Sequence, residues 1–162
     1  MRAYIRNVSP KGEFEYLFLE YFDQMEAWAD AAVKSLKASG YKQLYQQSID
    51  AGYMVHGEYN YHNILFDATS EKDNYGHRKL NVYTVNFDHF KKNVQVEDLY
   101  YFLRKAMEKQ GFKEWISDGI LNAYSAIIPL GKNELEYLKN RLMYPEKFFK
   151  VANSYYHSNK AW

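Results

Sequence analysis

A mostly helical α+β domain is the fold class this sequence predicts, and three observations carry the prediction. Apolar residues recur at three- and four-residue steps over most of the chain, as one face of a helix requires. Between residues 53 and 85 that period gives way to short apolar runs separated by polar and Gly-containing stretches, the pattern of strands and turns. Strands and helices do not alternate throughout, which argues against an all-parallel sheet wrapped by helices. The 162-residue length fits one domain spanning 1–162, long enough to bury a core without disulfides.

Each element follows from its local pattern. Residues 13–38 predict a long helix, with Phe14, Leu17, Phe18, Tyr21, Phe22, Met25, Trp28, Ala29 and Ala32 on the apolar stripe and Gly40 as its stop. A second helix is expected near 41–51, ending at Gly52. Tyr53-Met54-Val55 and Ile64-Leu65-Phe66 read as short strands on either side of a polar loop, His56 to Asn63. The charged stretch Glu71 to Lys79, with Asp73-Asn74 and Gly76, reads as a hairpin loop. A third strand runs through Leu80, Val82, Thr84 and Val85 into Asn86-Phe87-Asp88-His89-Phe90. Val96, Leu99, Tyr100, Leu103 and Met107 then mark a helix over 95–109, closed by Gly111. Three more helices are expected near 114–127, 132–143 and 145–157, with Pro129 between the first two and Pro145 at the start of the last, where its missing N–H is not needed.

The composition narrows the functional classes. Lys and Arg total 21 against 20 Asp and Glu, a formal charge of +1 that supplies no field to draw the chain onto nucleic acid or an anionic membrane. There is no cysteine, hence no disulfide framework and no thiol chemistry. The first eleven residues, with Arg2, Arg6 and Lys11, lack the apolar core of a secretory leader, and no run is long enough to span a bilayer. The 17 Tyr, 10 Phe and 3 Trp are enough aromatics both to fill a core and to suit a protein that packs against others. His56, His62, His77 and His89, with Asp88, match no standard zinc-ligand spacing; a loop-bracing His56 with the others facing solvent is the plainer reading.

The stretch His56-Gly57-Glu58-Tyr59-Asn60-Tyr61-His62-Asn63 is the most informative. It is similar to the HGDxxxxN catalytic loop of the aminoglycoside phosphotransferase and choline kinase superfamily. What the resemblance implies is chemical. The carboxylate after the Gly, here Glu58 in place of Asp, accepts the proton of a substrate hydroxyl. The Asn at the end of the motif, here Asn63, helps hold a metal ion on the nucleotide phosphates. His56 props the loop by hydrogen bonding.

The second half of such a site is a strand ending in a metal-binding Asp. Val85-Asn86-Phe87-Asp88 lies about where that segment should, with Asn86 at the metal position. Magnesium favours charged oxygen ligands, so a neutral amide there weakens the site unless Asp88 takes over. In an extended strand Asp88 would point to the same face as Asn86. Val96-Glu97-Asp98-Leu99 resembles the Asp-Leu pair that opens the next helix in these kinases, and Asp98 equally suits a capping acid at a helix start.

Several further stretches resemble the CotS-type spore coat proteins of anaerobic endospore-formers: Phe14 to Tyr21, Asn86 to Phe90, Asp98 to Lys105, Tyr144 to Asn153, and the terminal Asn159-Lys160-Ala161-Trp162. They are spread along most of the chain, from Phe14 to Trp162. The resemblance implies the C-terminal lobe of a protein-kinase-like fold, helices around a small β-hairpin cluster that carries the catalytic-type loop. It also implies a place in the cytoplasm of a spore-forming bacterium and then in the spore coat, with other coat proteins as partners. Ahead of His56 the residues read as helices, and no Gly-rich loop or nucleotide-clamping Lys stands in the expected context.

Two functions follow as expectations. The first is a coat structural or assembly protein built on a degenerate kinase-like lobe, with no cofactor and with self-association through its uncovered apolar surface. The second is an ATP- and Mg-dependent phosphotransferase acting on a small hydroxyl-bearing acceptor, with the remaining lobe supplied from elsewhere.

Overall fold

The computed structural model describes residues 1–72 and 75–157, and the side chains of all of these except 68–70. Asp73 and Asn74 of the expected hairpin loop, and the terminal Asn159 to Trp162 stretch, lie outside the described residues. The chain is mostly helical. Helices α1 (Arg2–Asn7), α2 (Glu13–Ala38) and α3 (Tyr41–Asp50) come first, and α4 (Val96–Lys109), α5 (Glu114–Ser125), α6 (Lys132–Met143) and α7 (Glu146–His157) come last. Between them lie β1 (Met54–Val55), β2 (Ile64–Lys72), β3 (Arg78–Thr84) and β4 (Lys91–Lys92), paired antiparallel as β1 with β4 and β2 with β3. No helix among the described residues is long and apolar enough to cross a membrane.

Two compact units form, residues 1–39 with 139–157, and residues 40–138. In the first, the α2 stripe buries Phe18 and Phe22 against Ile5 and Ala152. Aromatic rings set the packing: Phe18 stacks on Phe148 at 5.1 Å between centroids, and Phe14 on Tyr155 at 3.9 Å. The stripe is only partly covered, since Leu17, Tyr21 and Trp28 stay about half exposed at 47%, 45% and 49%.

The same unit buries an acid that periodicity does not reveal. Glu15 accepts the backbone N–H of Gly12 at 2.9 Å, which caps α2, and the Tyr156 hydroxyl at 2.7 Å. The Tyr156 hydrogen bond, helped by the backbone N–H groups and Lys11, holds the Glu15 carboxyl below the usual carboxylate range despite its burial. Burial and the Glu15 carboxylate push the Tyr156 phenol upward. Helix α1 was not expected from sequence. Six residues are too few to form a helix alone, and this one is held by Ile5, which is fully buried.

In the second unit Leu44, Val55, Val94, Val96, Leu99, Tyr100 and Leu103 are buried. They anchor α3, β1 and the first turns of α4, the elements from which the polar loop is hung. The β2–β3 hairpin projects with both faces largely open. Leu65, Phe66, Leu80, Val82 and Tyr83 are all half exposed or more. Its strands extend further into the charged stretch than the apolar pattern indicates, reaching the pair Lys72 and Arg78 through a register irregularity after Ala68.

Candidate functional site

The polar loop leaves β1 at His56, and its course is set by hydrogen bonds to the first turn of α4 and to residues 85–86 after β3. At the near end, the Asp98 carboxylate in the first turn of α4 accepts the backbone N–H of His56 at 2.7 Å and that of Gly57 at 3.0 Å. Asp98 forms no side-chain cap of its own helix. It clamps the loop from 41 and 42 residues away in sequence. Charge-assisted bonds of this kind are about twice as strong as neutral ones.

The His56 ring is buried and is flanked by Phe87, 4.7 Å between ring centroids, and Tyr59. Its Nε2 lies 2.8 Å from the Val85 carbonyl and its Nδ1 lies 3.3 Å from the Glu58 backbone N–H. A carbonyl can only accept, so Nε2 carries the proton and Nδ1 is the acceptor. His56 thereby ties the loop to the end of β3. Gly57 has φ +85°, a left-handed conformation, and a Cβ there would sit 2.2 Å from the His89 carbonyl oxygen. Glycine is required on both counts.

At the far end, Asn63 closes the loop. Its Nδ2 donates to the Glu58 carbonyl at 3.0 Å, a carbonyl that also accepts Asn60 Nδ2 at 2.8 Å. The Asn63 carbonyl accepts the Val85 N–H at 3.0 Å, next to the first β2–β3 pair, Ile64 with Thr84. With Nδ2 committed, the Asn63 side-chain oxygen faces Asn86, whose Nδ2 donates to it at 2.9 Å. The orientation of both amides therefore follows from the network.

The loop after β1 and the turn after β3 thus meet at three places: His56 with Val85, Gly57 with His89, and Asn63 with Asn86. Glu58 points outward at this junction, its carboxylate 3.8 Å from His89 Nε2 and more than half exposed. Asp88 does not stand where an extended strand would put it. Asn86 is left-handed at φ 63°, ψ 57°, and Phe87–His89 form a 3-10 turn, so the alternation that would align Asp88 with Asn86 does not apply. Asp88 is exposed on that turn. The reason is local: Asn tolerates the left-handed region better than most residues, and it ends the strand there.

Two residues of the frame were missed in the sequence. Glu97 is buried, accepts a hydrogen bond from the Asn93 side chain and pairs with Lys91 at 3.1 Å, which ties β4 to α4. Asn93 in turn accepts the Val94 N–H at 2.8 Å. An acid beside Asp98 gives no signal of burial, because both would serve equally at a helix start.

Chemically the site divides in two. Its near end carries a carboxylate bound to two N–H donors. Its far end carries two neutral amides bonded to each other. Mg²⁺ in phosphoryl-transfer sites is held through one or two carboxylates plus substrate phosphates. The Asn63–Asn86 pair offers no anionic oxygen, and one of its carbonyl oxygens already accepts an N–H, so this donor set does not fit a divalent cation. Among the described residues no group of three or more His, Asp or Glu side chains gathers in metal-holding geometry.

Comparison with known proteins finds the fold. The chain superposes with a TM-score of 0.83 on the crystal structure of an aminoglycoside phosphotransferase from Alicyclobacillus acidocaldarius, at 15% sequence identity. The match covers 99% of this chain and 45% of that one, so the chain spans less than half the length of that enzyme. No protein-family model matches the sequence, and no curated protein matches it either. The chain has a kinase-like phosphotransferase fold.

Proposed function

We propose that this chain is a non-catalytic, kinase-like C-terminal lobe that works as a structural or assembly module. The observation that carries the reading is the Asn63–Asn86 hydrogen bond. Phosphoryl transfer rests on positioning and on neutralising phosphate charge with metal ions. Here two of the positions that the motif resemblance assigns to the metal are neutral, and the Asn63 side-chain oxygen is already taken by Asn86, while the residues that shape the loop, His56, Gly57 and Asp98, keep their contacts. The resemblance of several stretches to CotS-type coat proteins supports the spore coat as the place of action, with other coat proteins as partners. The half-exposed apolar residues of β2 and β3 support self-association or coverage by such a partner.

A second reading is favoured by one observation, the outward-facing Glu58 carboxylate at the junction of the two turns. In that reading the chain is part of an ATP- and Mg-dependent phosphotransferase of a small hydroxyl-bearing acceptor, with the remaining lobe supplied from elsewhere. Thermal-shift titration separates the two. The structural reading predicts the same melting temperature with and without Mg-ATP, and a magnesium-dependent stabilisation at micromolar ATP defeats it. A tagged chain followed through sporulation tests the location; diffuse signal through late stages removes the coat assignment.

A further inference from the structure

The unit formed by residues 1–39 and 139–157 carries an open apolar groove of about 370 Å³ between α2 and α7. Phe14, Phe18, Met25 and Phe148 make its floor. Its rims are Leu17 and Tyr21 on α2 and Val151 on α7, all exposed, and Trp28 carries the α2 rim two turns further. A contiguous apolar strip of this kind marks an interaction surface.

The two rims bear opposite charges. At about 100° per residue, Glu13 and Glu20 fall just outside Leu17 on the α2 rim. Lys147 lines the α7 side, and Lys150 lies beyond it. All four are exposed, and none of them forms an ion pair or hydrogen bond with another described residue. Other acids of α2 do find a partner, since Asp23 and Glu26 pair with Arg2. The heights of the charges along the groove also agree. Phe14 stacks on Tyr155 and Phe18 on Phe148, so α2 and α7 run antiparallel. Glu20, two residues past Phe18, and Lys147, one residue before Phe148, therefore stand at nearly the same level on opposite rims.

We propose that this groove is a homodimer interface, covered by the same face of a second copy of the chain. A two-fold axis running along the groove keeps each height and exchanges the rims. It lays α2 of each copy over α7 of the other, with Glu20 facing the partner's Lys147. A two-fold axis across the groove would set acid against acid and base against base, so the charges select the first arrangement. The apolar floor and rims supply the association, and the charged rims fix its orientation. The proposal does not depend on the role assigned to the polar loop, which belongs to the unit of residues 40–138.

Sedimentation equilibrium of the full chain tests it. The wild-type chain should show a monomer–dimer equilibrium in the micromolar range. Glu20→Lys and Lys147→Glu are each expected to weaken the dimer about tenfold, since two-fold symmetry counts each change twice, and the double variant to recover most of the loss. Leu17→Asp should abolish the dimer, whereas Phe66→Ser on the open β2–β3 hairpin should leave it unchanged. A chain that stays monomeric, leaving the groove to residues 158–162 or to another protein, overturns the proposal. So does a dimer indifferent to charge reversal, a double variant without recovery, or a dimer lost in Phe66→Ser. Should Leu17→Asp fail to fold, the charge reversals and their recovery decide.

Discussion

The two ends of the polar loop are built from different chemistry. At the His56–Gly57 end an ionised carboxylate, Asp98, grips two backbone N–H groups, and a glycine lets the facing turn approach to contact. At the Asn63 end, two neutral amides bond to each other and to a backbone carbonyl. The first end holds the loop in shape; the second stands where the resemblance to phosphotransferases puts the metal. The shape of the loop and the charge at its Asn63 end therefore depend on different residues.

The sharpest way to break the comparison is at Gly57. Gly57→Ala combines a left-handed backbone with a Cβ at 2.2 Å from the His89 carbonyl, and should cost about 4 kcal/mol in chemical denaturation. Asp98→Ala leaves two N–H groups without their charged partner and should cost about 3 kcal/mol, with Asp98→Asn intermediate. At the neutral end, Asn63→Ala should cost only about 1 kcal/mol, since the Glu58 carbonyl keeps its bond from Asn60. Comparable losses at Asp98 and Asn63 would erase the distinction between the ends.

The Glu15–Tyr156 pair gives the smallest effect and serves as a control in the other unit. Glu15 is depressed in the fold, so its contribution is full above the ordinary carboxylate value of 4.5 and is lost as pH falls below it toward the folded value. Tyr156 is raised, so its contribution is full below the ordinary phenol value of 10.0 and is lost as pH rises above it. Glu15→Gln should flatten the acid limb of the stability profile without altering the response to Asp98 substitutions. An unchanged acid limb would mean that other carboxylates set it.

Much of the fold was legible because helices announce themselves by period. The sequence places α2 to α7 within a few residues of their observed ends. Helix α1 and strand β4 were not legible, for they exist only through packing: Ile5 in its core, and the two-residue pairing of Met54 and Val55 with Lys92 and Lys91. In the site, residue types could be read but partners could not. Asp98 suits a helix start whether it caps its own helix or clamps a distant loop. Only three-dimensional structure shows that Asn86 turns left-handed, leaves Asp88 on a separate turn and donates to Asn63.

The proposal that the Asn63–Asn86 end of the loop holds no metal ion is tested most directly by adding Mn²⁺ to the labelled chain and watching the side-chain NH₂ signals of Asn63 and Asn86. Asp tolerates the left-handed backbone as Asn does, so Asn86→Asp is the matched comparison. The account predicts that Mn²⁺ leaves both signals of the wild-type chain sharp, and that Asn86→Asp makes the Asn63 signal broaden at low Mn²⁺. Selective broadening of Asn63 and Asn86 in the wild-type chain would contradict it.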